Sequence, residues 1–190
     1  YTLFILLRLK LDKKDIIILS FLSNLSRNKM NRVYMQLGSN LGDREGYLKQ
    51  SHDMLVDEIG VIIKKSRIYE SSPWGVENQG AFLNQVVLLE TAVNPFNLLD
   101  MILNIEKEMG RVRIEKWGER IIDIDILFYN NEIIETNSLC IPHPYISKRR
   151  FVLTPLKEIG ENYIHPILQK TINELLLECL DEEKVSIYEV

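Results

Sequence analysis

The chain has no stretch of about 20 apolar residues, so nothing in it reads as a membrane-spanning helix. It has no G-x-x-x-x-G-K-[ST] motif, which excludes a P-loop nucleotide enzyme. Its two cysteines, Cys140 and Cys179, lie far apart with no C-x-x-C pattern. That argues against zinc and a disulfide framework, fits a reducing, cytoplasmic setting, and predicts two buried, inert thiols. Excess positive charge is missing too. A net charge of -4 over 190 residues gives no general attraction to nucleic acid or anionic membrane, so neither is expected as a partner. Repeats and low-complexity tracts are likewise absent.

What is present suits one soluble domain, with 46% hydrophobic residues to fill a core and 26% charged residues to cover it. Tyr1 to Leu11 and Ile16 to Leu22 are apolar but broken by Arg8, Lys10, Asp12, Lys13, Lys14 and Asp15, and no basic start precedes an apolar signal core. Met30 stands just ahead of the first well-formed strand pattern. Residues 1–30 are therefore expected to be a peripheral extension and residues 31–190 the functional domain.

Hydrophobic periodicity predicts a strand over Val33–Leu37, a Gly38-Ser39-Asn40-Leu41-Gly42 turn, and a helix capped by Asp43 with Leu48, His52, Leu55, Val56 and Ile59 on its inner face. Gly60 stops that helix, and a strand runs from Val61 towards Tyr69. Residues 71–80 carry turn chemistry throughout and form a long loop of the kind that often bears function. A strand over Phe82–Thr91 follows, then a helix from Pro95 through Leu98, Leu99, Ile102, Ile105 and Met109 to Gly110. After a loop over 110–120 comes a strand over 121–128, a turn, a short strand at Ile133-Ile134, and helices over Phe151–Ile159 and Thr171–Leu180. The order β-α-β-β-α-β predicts an α+β, ferredoxin-like sheet with additional helices in a single domain.

The chemistry concentrates at Asp123-Ile124-Asp125. Strand alternation puts Asp123, Asp125 and Leu127 on one face and Ile122, Ile124, Ile126 and Phe128 on the other. Two carboxylates one residue apart repel unless a cation joins them, and Mg²⁺ is commonly held by one or two carboxylates together with substrate phosphates. Such a pair also occurs as a solvated face or as salt-bridge partners for arginine. Basic residues before it (Arg111, Arg113, Arg120) and after it (Lys148, Arg149, Arg150, near Pro142-His143-Pro144-Tyr145) exceed what ion pairing alone needs and point to polyphosphate. Phe82 and Phe151 taken singly read as core aromatics, Asn84 as a strand amide, Gly38 and Gly42 as turn glycines, and His52 and His165 as surface or packing residues.

Taken in order, Leu37-Gly38-Ser39-Asn40-Leu41-Gly42, Phe82-Leu83-Asn84, Gly110-Arg111-Val112-Arg113, Arg120 through Ile126 and Ile141-Pro142-His143-Pro144 resemble the 6-hydroxymethyl-7,8-dihydropterin pyrophosphokinase family over about residues 33 to 160. The resemblance implies diphosphate transfer from ATP to a reduced pterin alcohol, with AMP released, in folate biosynthesis. It implies Asp123 and Asp125 as ligands of two Mg²⁺ ions. It implies Arg111 and Arg120 as further catalytic residues, and Glu106, Arg111, Arg113, His143 and Arg149 as the ATP site. For the pterin it implies Ser71, Pro73, Trp74, Phe82, Asn84 and Phe151, with the two rings sandwiching the bicycle, and Trp74 and Trp117 on lid loops. Glu119 departs from the family, which commonly has Pro there. The expected state is a monomer. Two other readings remain: a nucleotidyltransferase, disfavoured because Gly38-Ser39 lies far before Asp123, and an RNA-binding sheet, disfavoured by the net charge and the strand aspartates.

Overall fold

The structure, a computed structural model, describes residues 30–73, 79–111 and 118–189. Trp74, Arg113 and Trp117, all expected in or near the site, lie outside the described residues, as does the expected extension up to residue 29.

In chain order the elements are β1 (Asn31–Ser39), α1 (Arg44–Glu58), β2 (Val61–Lys65), β3 (Tyr69–Ser71), β4 (Phe82–Thr91), α2 (Pro95–Glu108) and β5 (Asp123–Tyr129). There follow β6 (Ile134–Glu135), β7 (Cys140–Ile141), a 3₁₀ turn at Ile146–Lys148, α3 (Arg150–Gly160), α4 (Ile172–Leu177) and β8 (Val185–Ile187). The protein is thus mixed α/β, with four α-helices among the described residues. The main sheet has six strands, in the order β5-β1-β4-β3-β8, and β2 pairs with β4 beside β3. Each of its pairings is antiparallel.

Local chemistry explains the boundaries. Asp43 caps α1 by accepting from Gly46 N at 3.0 Å, and Asn94 caps α2 by accepting from Phe96 and Asn97 N, with Pro95 in the first turn where its missing N–H costs nothing. Gly110, at φ 92°, takes the left-handed conformation that ends α2. Thr171 and Glu174 form a capping box that starts α4.

The sheet has two unlike faces. On one, Val33, Met35 and Leu37 of β1, Ile124 and Ile126 of β5, and Leu83, Val87 and Leu89 of β4 pack under α1 and α2 to make the larger core. On the other, Tyr34, Val86, Leu88, Leu127 and Phe128 pack under α3 and α4. Further along this second face the apolar residues give way to Gln36, Gly38, Asn84, Asp123 and Asp125. Helix packing therefore covers one end of the face, and polar chemistry occupies the other.

Several expectations are corrected. The register between β1 and β5 shifts at Tyr34/Met35, so that Phe128 pairs with Tyr34 and Ile126 with Met35. Leu127 is the extra residue of a bulge, which turns Phe128 onto the face of Leu127 and gives its expected place to Tyr129. The strand after Gly60 is broken into β2 and β3. Val56 is 49% exposed, while Ser51 is buried in its stead. Cys140 is exposed and only Cys179 is buried. The last helix stops at Leu177, leaving Leu180 94% exposed, and the short strand begins at Ile134 rather than Ile133. The strands β7 and β8 have too few residues for a period to register in the sequence.

Candidate functional site

Gly38 on central β1 is the direct cross-strand partner of Asn84 on β4 and of Asp123 on β5. Directly opposed residues of antiparallel strands share a face, so the amide and the carboxylate stand side by side across a residue with no side chain. A Cβ built on Gly38 would lie 3.8 Å from Asn84 Oδ1 and 3.9 Å from the Phe82 ring, in the floor of this region. One step further along, Gln36 is opposed to Asp125.

Around the acids, Arg111 pairs with Asp123 at 2.6 Å and also with Glu106, while Arg120 pairs with Asp123 at 2.7 Å. Glu106, only 3% exposed, accepts the backbone N–H of Ile124 at 2.8 Å, so α2 is fastened to the strand between the two aspartates. The Asp125 carboxyl makes no side-chain hydrogen bond and no ion pair within 4 Å among the described residues. Burial, and next the charge of Asp123, push it up to about 7, and the charges of Arg149 and Arg111 only partly offset this. A buried carboxylate short of positive charge beside a second one fits a hard divalent cation, and both donors are oxygens. Among the described residues no third His, Cys, Asp or Glu joins them in a metal-holding group. That count suits Mg²⁺, which completes its shell with water and phosphate.

His143 and Arg149 approach from the segment after β7. His143 N donates to Leu127 O at 3.0 Å, and its Nδ1 accepts from Tyr145 N at 3.3 Å. Burial, then the Arg149 charge, lower its imidazole to about 4, so it is neutral near pH 7. Arg149 lies at the start of α3, its guanidinium 5.6 Å from the Phe151 ring centre and 4.9 Å from that of Tyr145. Arg150 is different: it donates to Asp181 O and Cys179 O and so ties α3 to the segment between α4 and β8.

Asn84 is 1% exposed and donates to Ser71 Oγ at 2.9 Å, which brings together two of the expected residues from β4 and β3. Phe82 and Phe151 are partly exposed rather than core aromatics. The Arg120 guanidinium lies 5.9 Å from the Phe82 ring centre while it pairs with Asp123, linking the aromatic and acidic halves. Pro73 is partly buried, just before the undescribed 74–78.

Two residues were missed. Gln36 donates to Asn84 Oδ1 at 3.1 Å, and Asn40 Oδ1 accepts Arg120 N at 2.8 Å while its Nδ2 donates to Gly80 O at 3.4 Å. Gln36 could have been noticed as a polar residue at a buried strand position, and Asn40 as a turn amide. Glu119, the departure from the family pattern, accepts Gly80 N at 3.3 Å.

The family model for 7,8-dihydro-6-hydroxymethylpterin-pyrophosphokinase (HPPK) matches residues 34–161. The chain belongs to this family. It is 49% identical over 145 residues to the 2-amino-4-hydroxy-6-hydroxymethyldihydropteridine pyrophosphokinase of Aquifex aeolicus, covering 76% of this chain and 90% of that protein. It is 49% identical over 130 residues to the enzyme of the same name from Bacillus subtilis, covering 68% and 78%. Among solved structures, a Plasmodium falciparum HPPK-DHPS matches with a TM-score of 0.67 at 21% identity, covering 79% of this chain and 43% of that one. This last likeness is one of fold, and the chain spans less than half of that longer protein. Membership of the HPPK family disposes of the nucleotidyltransferase and RNA-binding readings. Among the described residues no helix is long and apolar enough to cross a membrane.

Proposed function

We infer that the chain transfers diphosphate from ATP to the hydroxymethyl group of 6-hydroxymethyl-7,8-dihydropterin, releasing AMP, as a step of folate biosynthesis. The observation that carries the site assignment is the pairing of Gly38 with Asn84 on one side and Asp123 on the other. It sets a heterocycle-reading amide and a phosphate-handling acid on one face, either side of β1 and two strand spacings apart, roughly 10 Å.

Asn84 and Ser71 read the edge of the pterin, Phe82 and Phe151 stack on its faces, and Pro73 and Trp74 border it. Arg111, Arg120, Arg113 and Arg149 face the ATP phosphates, with neutral His143 as a further donor and Glu106 holding Arg111 in line. Mg²⁺, two ions with ATP, would be held by Asp123 and Asp125 and supplies charge neutralisation on the phosphates and a lower pKa for the attacking alcohol. The pterin oxygen attacks the β-phosphorus and AMP leaves. Alignment and charge neutralisation supply most of the catalysis in such a transfer, and this is what the arginines and the rigid β5 provide. Trp74 and Trp117 belong to loops that exclude water, since hydrolysis of ATP competes. No residue is assigned as general base.

The strand order β5-β1-β4-β2/β3 supports a ferredoxin-like sheet whose second strand is broken and which gains β8 at its edge. The catalytic domain is residues 31–190, residues 1–30 are peripheral, and the protein works as a cytoplasmic monomer without nucleic-acid or membrane partners. Incubation with ATP, Mg²⁺ and the reduced pterin alcohol should give AMP and a pterin diphosphate. Pyrophosphate as the released product would refute the transfer. Removal of residues 1–29 should leave turnover intact.

A further inference from the structure

Gln36 is an amide in the middle of a β-sheet, 4% exposed, with Val86 and Asp125 as its cross-strand partners. Its Nε2 donates to Asn84 Oδ1 at 3.1 Å and, more weakly, to its neighbour Leu37 O at 3.4 Å, while its own buried Oε1 has no partner among the described residues. An unpartnered buried acceptor is a standing cost that an apolar side chain would avoid. The residue is therefore poorly explained by stability.

The direction of the hydrogen bonds explains it better. Leu37 O only accepts, so it draws the NH₂ end of Gln36 to that side, and that NH₂ in turn calls for the oxygen of Asn84. Asn84 Nδ2 is left to face Ser71 Oγ at 2.9 Å and Phe82 O at 3.4 Å. Ser71 cannot impose this order alone, because a hydroxyl donates or accepts as required; Phe82 O only accepts and favours the same order, but at 3.4 Å it is a longer contact than the 3.1 Å bond from Gln36. We propose that Gln36 is a positioning residue for recognition of the substrate heterocycle, fixing which end of the Asn84 amide meets Ser71 and so which donors and acceptors the site offers to a flat ring. This rests on the reading of Asn84 as the pterin-facing amide. Gln36 reaches the ring only through Asn84.

Two variants test it. Gln36→Leu removes the donor at similar volume, and Gln36→Glu, assayed at a pH high enough to ionise it beside Asp125, replaces the donor with a group that only accepts and calls for the NH₂ end of Asn84. Steady-state kinetics should show KM for the reduced pterin raised about tenfold in Gln36→Leu, equivalent to about 1.4 kcal/mol, and more in Gln36→Glu. In Gln36→Leu, KM for ATP should stay as in the wild type, and the melting temperature should stay close to it, because an orphaned Asn84 Oδ1 takes the place of the orphaned Gln36 Oε1. An unchanged pterin KM in both variants overturns the proposal, as does a parallel rise in both KM values with a lowered melting temperature, the mark of a merely structural residue. A wild type that makes no pterin diphosphate would instead defeat the functional reading. The geometric claim has its own readout in that event: the side-chain amide resonances of Asn84 should shift in Gln36→Glu, and unshifted resonances refute it.

Discussion

Asp123 is held by two guanidinium groups, Arg111 at 2.6 Å and Arg120 at 2.7 Å, whereas Asp125, two residues along the same strand, has no ion pair among the described residues. The two acids are therefore unequal before any substrate arrives. One is neutralised by the protein, and the other carries the desolvation penalty of the pair.

The first prediction concerns that penalty. The Asp125 carboxyl is raised to about 7 from an ordinary value of 3.8, chiefly by burial. Between those values the folded state holds a proton that the unfolded state has released, so stability falls as pH rises from about 4 to about 7 and levels off above. Asp125→Asn removes this contribution. Chemical denaturation of the metal-free protein should show the variant gaining on the wild type by up to about 1.4 kcal/mol per pH unit across the window, and should show it the more stable of the two at pH 8. Its Mg²⁺-dependent transfer should be lost. A variant less stable than the wild type at pH 8 would contradict the assigned burial cost.

Glu106 supports the second. It accepts Ile124 N, pairs with Arg111 and is nearly inaccessible. Glu106→Ala leaves a buried N–H and a half-buried guanidinium each short of a partner, which should cost about 2–4 kcal/mol in denaturant unfolding. Glu106→Gln keeps an acceptor for Ile124 and loses only the charge. It should cost less than Glu106→Ala, with KM for ATP raised because Arg111 is no longer held in line. Equal losses in the two variants would show that the backbone bond matters little.

How far the sequence foretold this arrangement depends on the kind of order involved. The strand over Phe82–Thr91 and the helix from Pro95 to Gly110 were legible because long periodic runs and a cap at each end agree. Asp123 and Asp125 share a face as alternation requires, because the bulge lies beyond them at Leu127. Phe128 was misplaced by that same bulge, whose extra residue leaves no mark in a run of apolar side chains. The role of Gln36 was not legible because it depends on which residue of β4 stands near it. Register between strands 48 positions apart has no local signal.

A third prediction follows from the corrected thiols. With Cys140 exposed and Cys179 buried, a thiol reagent should label one cysteine in the native protein and the second only on unfolding. Mass spectrometry after brief labelling should place the adduct on Cys140. Fast native modification of Cys179 would mean that the packing of α4 is looser than described.

The last prediction concerns His143. Burial and the nearby Arg149 charge lower its imidazole to about 4. Its neutral form is favoured in the folded state, and the unfolded chain takes up a proton first as pH falls through the ordinary value of 6.5. Stability should therefore decline as pH drops from about 6.5 to about 4, opposite in direction to the Asp125 effect. Polyphosphate bound beside the ring would reverse the balance, because its negative charge favours the imidazolium. Nitrogen chemical shifts of the His143 ring should report a neutral imidazole at pH 5.5 in the free protein and a higher pKa once ATP and Mg²⁺ are added. Calorimetry in buffers of different ionisation enthalpy should detect the matching proton uptake when nucleotide binds near pH 6. A ring that titrates at an ordinary value, or one indifferent to nucleotide, would remove His143 from the phosphate site.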